Sequence, residues 1–233
     1  MNTPNLGIKL FADTADLTEM KRLSSVVTGF TTNPTLMRRA GVTNYTEWGF
    51  CAANTFPGHS LSFEVLSNTP FDIEREATLI SEWGPNIYVK VPILTVEGHS
   101  NVPVIQVLHD RGIPVNVTAV SYVDQLEGLT FRDEPMIVSV FAGRVADTGL
   151  DPIDEVRDVV YWVKDYSSIE VLWASTRQVY SVMDAVTAGA DIITVTPDLL
   201  DKLTAWWGKS LDYVTMETVR QFDADIKKAG YTL

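Results

Sequence analysis

A lysine, Lys90, stands inside the apolar run "NIYVKVPI" (86–93). Burying an unpaired ammonium is costly. An edge strand, a salt bridge, or a buried stem whose head reaches water would each explain it. Two other ionisable residues, Asp13 in "IKLFADT" (8–14) and Glu64 in "LSFEV" (61–65), also sit among apolar neighbours. Carboxylates placed this way can exchange protons, and an amine that has lost its proton can attack a carbonyl. Hydroxyls, amides and guanidinium groups recur at comparable places: Thr31 with Asn33, Asn116 with Thr118, Ser139, Arg144, Ser175 with Arg177, and Thr196. Helix capping accounts for Asn33 and Ser175. It leaves Asp13, Glu64 and Lys90 without a structural reason.

The elements that would hold these residues recur regularly. Eight short β-branched runs are predicted as strands: 8–14, 27–33, 61–65, 87–91, 115–120, 136–141, 171–175 and 192–196. Amphipathic stretches separate them. "TADLTEMKRLSSV" spaces Leu17, Met20 and Leu23 helically, with Thr14 or Asp16 available as cap. "NPTLMRRAG" places Asn33 at the N-cap, Pro34 at the first helical position and Gly41 past the end. "NTPFDIEREA" starts a helix, and "STRQVYSVMDAVTAG" puts Val179, Val182, Met183 and Val186 on one face. Pro103 falls inside an expected helix, which it would shorten or kink. Strands alternating with helices predict an α/β fold, a single-domain (β/α)8 TIM barrel over 1–233 with a C-terminal helix at 214–233. An open doubly wound sheet is the alternative, but no strand leads into a GxGxxG turn. In such a barrel the active site lies at the C-terminal strand ends, where the polar residues cluster.

Composition narrows the function. The 233 residues are 45% hydrophobic and 21% charged, an ordinary soluble balance. The net charge of −12 argues against nucleic acid or an anionic membrane as partner. No apolar run reaches membrane-spanning length, and the N-terminus shows no signal-peptide core. Cys51 is the single cysteine, so no intrachain disulfide forms and a reducing cytoplasm is expected. The histidines His59, His99 and His109 make no HExxH pattern, and there is no CxxC, so no metal or other cofactor is expected.

The stretches "FADTAD" (11–16), "GFTTNPTL" (29–36), "YVKVP" (88–92), "PVNVTAV" (114–120), "SVFAGR" (139–144), "WASTRQ" (173–178) and "AGADIITVTPDLLDKL" (188–203) run in one order along the chain. Together they resemble the transaldolase family in its short form, shared with fructose-6-phosphate aldolases. The resemblance implies a (β/α)8 barrel and a Schiff-base lysine at Lys90. Barrel burial suits that role, because desolvation favours the neutral amine. It implies Asp13 as the acid/base that takes the proton from the substrate's C4 hydroxyl, and Glu64 with Thr118 as holders of a catalytic water. Thr31, Asn33, Asn116 and Ser139 would bind the hydroxyls of a dihydroxyacetone unit, with Phe141 lining the site. Arg144, Ser175 and Arg177 match the phosphate-binding set. The expected partners are small sugar phosphates. The short members also assemble as homodecamers of two pentameric rings, their last helix reaching a neighbour. Here "TVRQFDADIKKAG" matches that helix, and Val214, Val219, Phe222 and Ile226 offer an apolar stripe, for which the chain's own barrel is the other possible partner.

The expected activity is transfer of a dihydroxyacetone unit from a ketose phosphate to an aldose phosphate. The alternative is a fructose-6-phosphate-type aldolase releasing free dihydroxyacetone. The short aldolases carry Gln and Tyr where this chain has Glu64 and Phe141, and both positions favour transaldolase. A metal-dependent aldolase lacks a ligand cluster, and a catalytically dead binding module does not suit the intact Asp13–Glu64–Lys90–Thr118 set. "VKVPILTVEG" carries one residue more than the family's usual loop after the fourth strand.

Overall fold

Period-two alternation builds the centre of the molecule. The computed structural model describes residues 7–232, and among them eight parallel strands close into a barrel in sequence order. They are β1 (Lys9–Asp13), β2 (Gly29–Thr31), β3 (Ser60–Glu64), β4 (Ile87–Pro92), β5 (Val115–Val120), β6 (Met136–Val140), β7 (Ile169–Trp173) and β8 (Ile192–Val195). One parity of each strand packs outward under the helices: Leu10 and Ala12, Phe30, Leu61 and Phe63, Val89 and Val91, Val115 and Val117, Val138 and Val140, Val171 and Trp173, Ile193 and Val195. The other parity fills the barrel, where Phe11, Ile137, Leu172, Ala174 and Ile192 form a small separate core with Tyr88 and Phe141 packed against it. Gly29 makes room for it, because a Cβ there would stand 2.6 Å from the Phe11 ring. Closure rules out the open doubly wound sheet.

The outer layer comprises α1 (Leu17–Leu23), α2 (Pro34–Arg39), α3 (Tyr45–Thr55), α4 (Pro70–Ser81), α5 (Val102–Asp110), α6 (Ala142–Asp147), α7 (Pro152–Val163), α8 (Ser181–Ala188), α9 (Pro197–Trp206) and α10 (Leu211–Ala229). Local chemistry starts most of them. Asp16 caps α1, Asn33 caps α2 with Pro34 behind it, and Thr69 caps α4. Each such cap is worth about 1 kcal/mol.

Several expectations need correcting. Pro103 neither shortens nor kinks α5: it lies in the first turn, where no helical N–H is lost. On α8 the buried face is Ser181, Val182, Ala185 and Ala188, whereas Met183 and Val186 are exposed. Small alanines allow close approach there, so the larger side chains turn outward. β7 runs Ile169–Trp173 rather than 171–175, which leaves Ser175 in the loop beyond it, and Ser175 does not cap α8, which starts only after Tyr180. Phe141 is the residue before α6 rather than the end of a strand. The C-terminal helix starts at Leu211, and none of its residues is buried. Residues 1–6 and 233, including the N-terminal segment considered above, lie outside the described residues.

Candidate active site

The inward parity ends in polar residues at the C-terminal rim, and these surround a cavity of about 530 Å³. Eleven of the twelve residues given a role by the family resemblance line it: Asp13, Thr31, Asn33, Glu64, Lys90, Thr118, Ser139, Phe141, Arg144, Ser175 and Arg177; Thr196, also singled out in the sequence, lines it too. The twelfth, Asn116, is fully enclosed below. Its Nδ2 donates to Ser62 Oγ (3.1 Å) and its Oδ1 accepts from Ser139 Oγ (2.7 Å).

Lys90 occupies the floor. It is 5% exposed, in register with Glu64 on one side and Asn116 on the other. Its Nζ donates to the main-chain oxygen of Thr32 (2.8 Å) and lies 3.5 Å from Glu64 Oε2. Of the simple explanations, the salt bridge is thus present, though long, and the edge strand is excluded by barrel closure. Thr118 Oγ1, also buried, has no partner among the described residues. A buried hydroxyl left unpaired costs about 1–3 kcal/mol, so Thr118 is poised for a water or a substrate group. Immediately after it, Ala119 adopts φ +61° at an irregularity in the β5–β6 register. Such bulges re-aim neighbouring side chains.

Asp13 ends β1. Burial pushes its carboxyl above the usual range, while the charge of Lys90 and a hydrogen bond from Thr31 pull it partly back. Thr31 Oγ1 donates to Asp13 Oδ1 (2.8 Å) and also touches Thr194 Oγ1 (2.5 Å). Asn33 lines the cavity while its Oδ1 caps α2 at Leu36 N–H (3.0 Å), so it does both jobs.

The guanidinium side is built by α6 and the loop after β7. Arg144 stacks over the Phe141 ring, 4.8 Å from its centroid. Arg177 pairs with Asp147 (2.8 Å) at the surface. Ser175 takes φ +63°, and its carbonyl passes so close to Gly143 that a Cβ there would sit 1.7 Å from it. Gly143 therefore lets the Ser175–Arg177 loop dock against α6.

Four contributors escaped the sequence reading. Thr194 and Arg39 line the cavity. Ser62 supports Asn116, and the Tyr45 hydroxyl donates to the main-chain oxygen of Glu64 (2.8 Å). Parity could have found Thr194, two residues beyond the inward Ile192, and Ser62, two before Glu64. Nothing in the sequence marks Tyr45, whose α3 position meets β3 only in the fold. The longer loop after β4 forms a small turn, closed by a Leu94–Ser100 bridge and tied to the preceding loop by Asn68. Among the described residues no group of three or more potential metal ligands gathers.

Residues 10–233 match the Transaldolase/Fructose-6-phosphate aldolase family. The chain belongs to that family. A probable transaldolase of Herpetosiphon aurantiacus is 34% identical over 199 residues, spanning 84% of this chain and 87% of the relative. Another from Cereibacter sphaeroides is 34% identical over 230 residues, 97% of this chain and 99% of the relative. Among solved structures, 3-hexulose-6-phosphate synthase from Salmonella typhimurium superposes with a TM-score of 0.54 at 18% identity, covering 81% of this chain and 89% of that one. That likeness concerns the barrel alone. Membership of the transaldolase/aldolase family makes the chain an enzyme of that type and the cavity its candidate active site.

Proposed function

We propose that the enzyme is a transaldolase that moves a dihydroxyacetone unit between sugar phosphates through a Schiff base on Lys90. The observation that carries this reading is the enclosed Lys90 amine, held between Glu64 and the Thr32 carbonyl on the floor of a cavity that also contains Asp13.

In this reading the neutral amine of Lys90 adds to the C2 carbonyl of a ketose phosphate. A water held by Glu64 and Thr118 shuttles the protons as the carbinolamine loses water. Asp13 then takes the C4 hydroxyl proton, the C3–C4 bond breaks, and its electrons move into the iminium to leave an enamine on Lys90. The aldose phosphate departs and another binds. The enamine attacks its aldehyde carbon while Asp13 returns the proton, and the iminium so re-formed is hydrolysed by the water at Glu64 and Thr118, which releases the new ketose phosphate and frees the Lys90 amine. Thr31, Asn33 and Ser139 hold the hydroxyls of the three-carbon unit, with Asn116 acting through Ser139. Arg144, Ser175 and Arg177 take the phosphate. Phe141 has no proton donor to offer the enamine, and ionised Glu64 only accepts hydrogen bonds, so both favour waiting for an acceptor over release.

Borohydride added with a ketose phosphate should inactivate the enzyme and fix one substrate fragment on the peptide containing Lys90. Label on another lysine, or full activity in Lys90→Ala, overturns the mechanism. Free dihydroxyacetone formed as fast without acceptor as turnover with one would make the enzyme an aldolase instead.

The same reading includes a cytoplasmic homodecamer of two pentameric rings. On α10, Val214, Val219, Phe222 and Ile226 are 37–61% exposed, which leaves an apolar stripe uncovered by the chain's own barrel. Light scattering at the decamer mass, lost on truncation after Ser210, is the expected outcome; a monomer rejects the assembly.

A further inference from the structure

Asp13 receives help from both of its neighbouring strands. β1 lies between β2 and β8, and each contributes a buried threonine hydroxyl: Thr31, 3% exposed, and Thr194, 4% exposed. Thr31 Oγ1 donates to Asp13 Oδ1 (2.8 Å), and Thr31 and Thr194 Oγ1 atoms are 2.5 Å apart. A hydroxyl has one proton to give. Thr31 spends its proton on Asp13, so the contact between the threonines must be a donation from Thr194 to Thr31. The hydrogen bonds therefore run one way, from Thr194 to Thr31 to the carboxylate. Thr194 is itself held in place: Thr176 Oγ1 donates to its main-chain oxygen (2.7 Å). Thr176 lies between Ser175 and Arg177, so the loop proposed to take the phosphate is tied to the same strand end.

We infer that Thr194 is a positioning residue for the carbon–carbon bond-breaking step, aligning and polarising Thr31 so that Asp13 stays ionised with one oxygen left for the substrate hydroxyl. The inference rests on the acid/base role proposed for Asp13. Its logic is electrostatic. Burial alone would favour the protonated carboxyl, which cannot act as a base. The nearby charge of Lys90 opposes that, and a hydrogen bond donated by Thr31 to the ionised form opposes it further; a donor that itself accepts a hydrogen bond is a better donor, because linked hydrogen bonds polarise one another. The geometry also selects the oxygen. With Oδ1 engaged by Thr31, Oδ2 is left to receive the C4 hydroxyl proton and later return it. A threonine serving only to fill space would pack equally well as valine.

The test measures kcat/KM for transfer across pH in the full-length enzyme. Thr194→Val keeps the shape and removes the hydroxyl. The acid limb should move to higher pH by about half a unit, with kcat at neutral pH down about three- to tenfold and KM for the donor nearly unchanged. Borohydride trapping on Lys90 should persist, since Schiff-base formation does not use Asp13. Thr194→Ser, which restores the hydroxyl, should return the profile towards the native one; it also serves, beside Thr194→Ala, if the valine variant does not fold. Thr31→Val should shift the limb the same way, and Thr31→Val/Thr194→Val no further than Thr31→Val alone, because Thr194 acts only through Thr31. A native pH profile in Thr194→Val, or an additive double variant, overturns the inference. Asp13→Asn separates the two claims. If it retains carbon–carbon bond cleavage, the role of Asp13 itself is wrong. If it loses cleavage while Thr194→Val behaves as native, the Thr194 inference alone fails.

Discussion

Glu64 and Lys90 are direct neighbours in the β3–β4 register, yet Glu64 Oε2 stops 3.5 Å from Lys90 Nζ. That is longer than the ~2.7–2.9 Å of a tight charged hydrogen bond. The amine's short bond goes instead to the Thr32 carbonyl, at 2.8 Å. A carboxylate held at this separation is suited to handling a proton through water. Glu64→Gln should therefore lower kcat by about tenfold, with KM little changed. Phe141→Tyr, alone or with Glu64→Gln, should raise release of free dihydroxyacetone relative to transfer by about tenfold, or roughly 1.4 kcal/mol of relative barrier. A coupled assay for dihydroxyacetone with and without acceptor reads both; an unchanged ratio in the double variant rejects the assignment.

The two guanidinium groups should not behave alike. Arg144 stacks on Phe141 and makes no ion pair among the described residues, whereas Arg177 already pairs with Asp147. Arg144→Ala should raise KM for phosphorylated substrates by about 1.5–3 kcal/mol in transition-state terms. Arg177→Ala should cost less, because its charge is partly neutralised. Asp147→Asn should lower KM, since the carboxylate it removes opposes an anion. Equal losses with phosphorylated and unphosphorylated substrates would place the phosphate elsewhere.

Gly143→Ala should be among the most damaging single-methyl changes. The new Cβ would collide with the Ser175 carbonyl, which is backbone and cannot rotate away. A stability loss of about 1–3 kcal/mol is expected for such overpacking, together with a raised KM for phosphorylated substrates as the Ser175–Arg177 loop is displaced. Thermal unfolding and steady-state kinetics on one preparation check both; a native melting temperature rejects the close packing.

Two buried groups set opposite pH trends. The Asp13 carboxyl is raised by burial, so its contribution to stability is full below about pH 4, the unfolded value, and is lost as pH rises through the folded value. Asp13→Asn should thus raise the melting temperature at neutral pH, by about 2–4 °C per kcal/mol released, and progressively less in acid, while abolishing cleavage. His109 is lowered, first by burial, and its Nε2 accepts the Arg132 N–H at 3.0 Å. The unfolded chain takes the proton first, so stability should fall as pH drops from about 6.5 towards the folded value. Melting curves at pH 5.5 and 7.5 should show this loss in the native enzyme and a smaller one in His109→Phe; equal losses would move the acid sensitivity to another group.

Much of this enzyme is written in local pattern. Eight apolar runs separated by capped helices point to an α/β fold on a parallel sheet, because strands buried on both faces need helical crossovers to cover them; that the sheet closes into a barrel is decided by the pairing of β8 with β1. Asp13, Glu64, Lys90 and Thr118 could be picked out because polar groups at the ends of apolar strands are costly without a task. Tertiary structure decided what spacing along the chain does not encode. The contact between Thr31 and Thr194 spans 163 residues and exists only because closure brings β8 back beside β1. Asn116 has the same parity as Thr118 but lies one layer deeper, so its amide is used by Ser62 and Ser139 and is walled off from the cavity. The buried face of α8 was set by how closely the helix approaches the barrel, a distance that rewards Ala185 and Ala188 over larger neighbours. Sequence periodicity determines which side of a strand a residue takes. Depth, and the partner met across a closed sheet, follow from packing among distant segments.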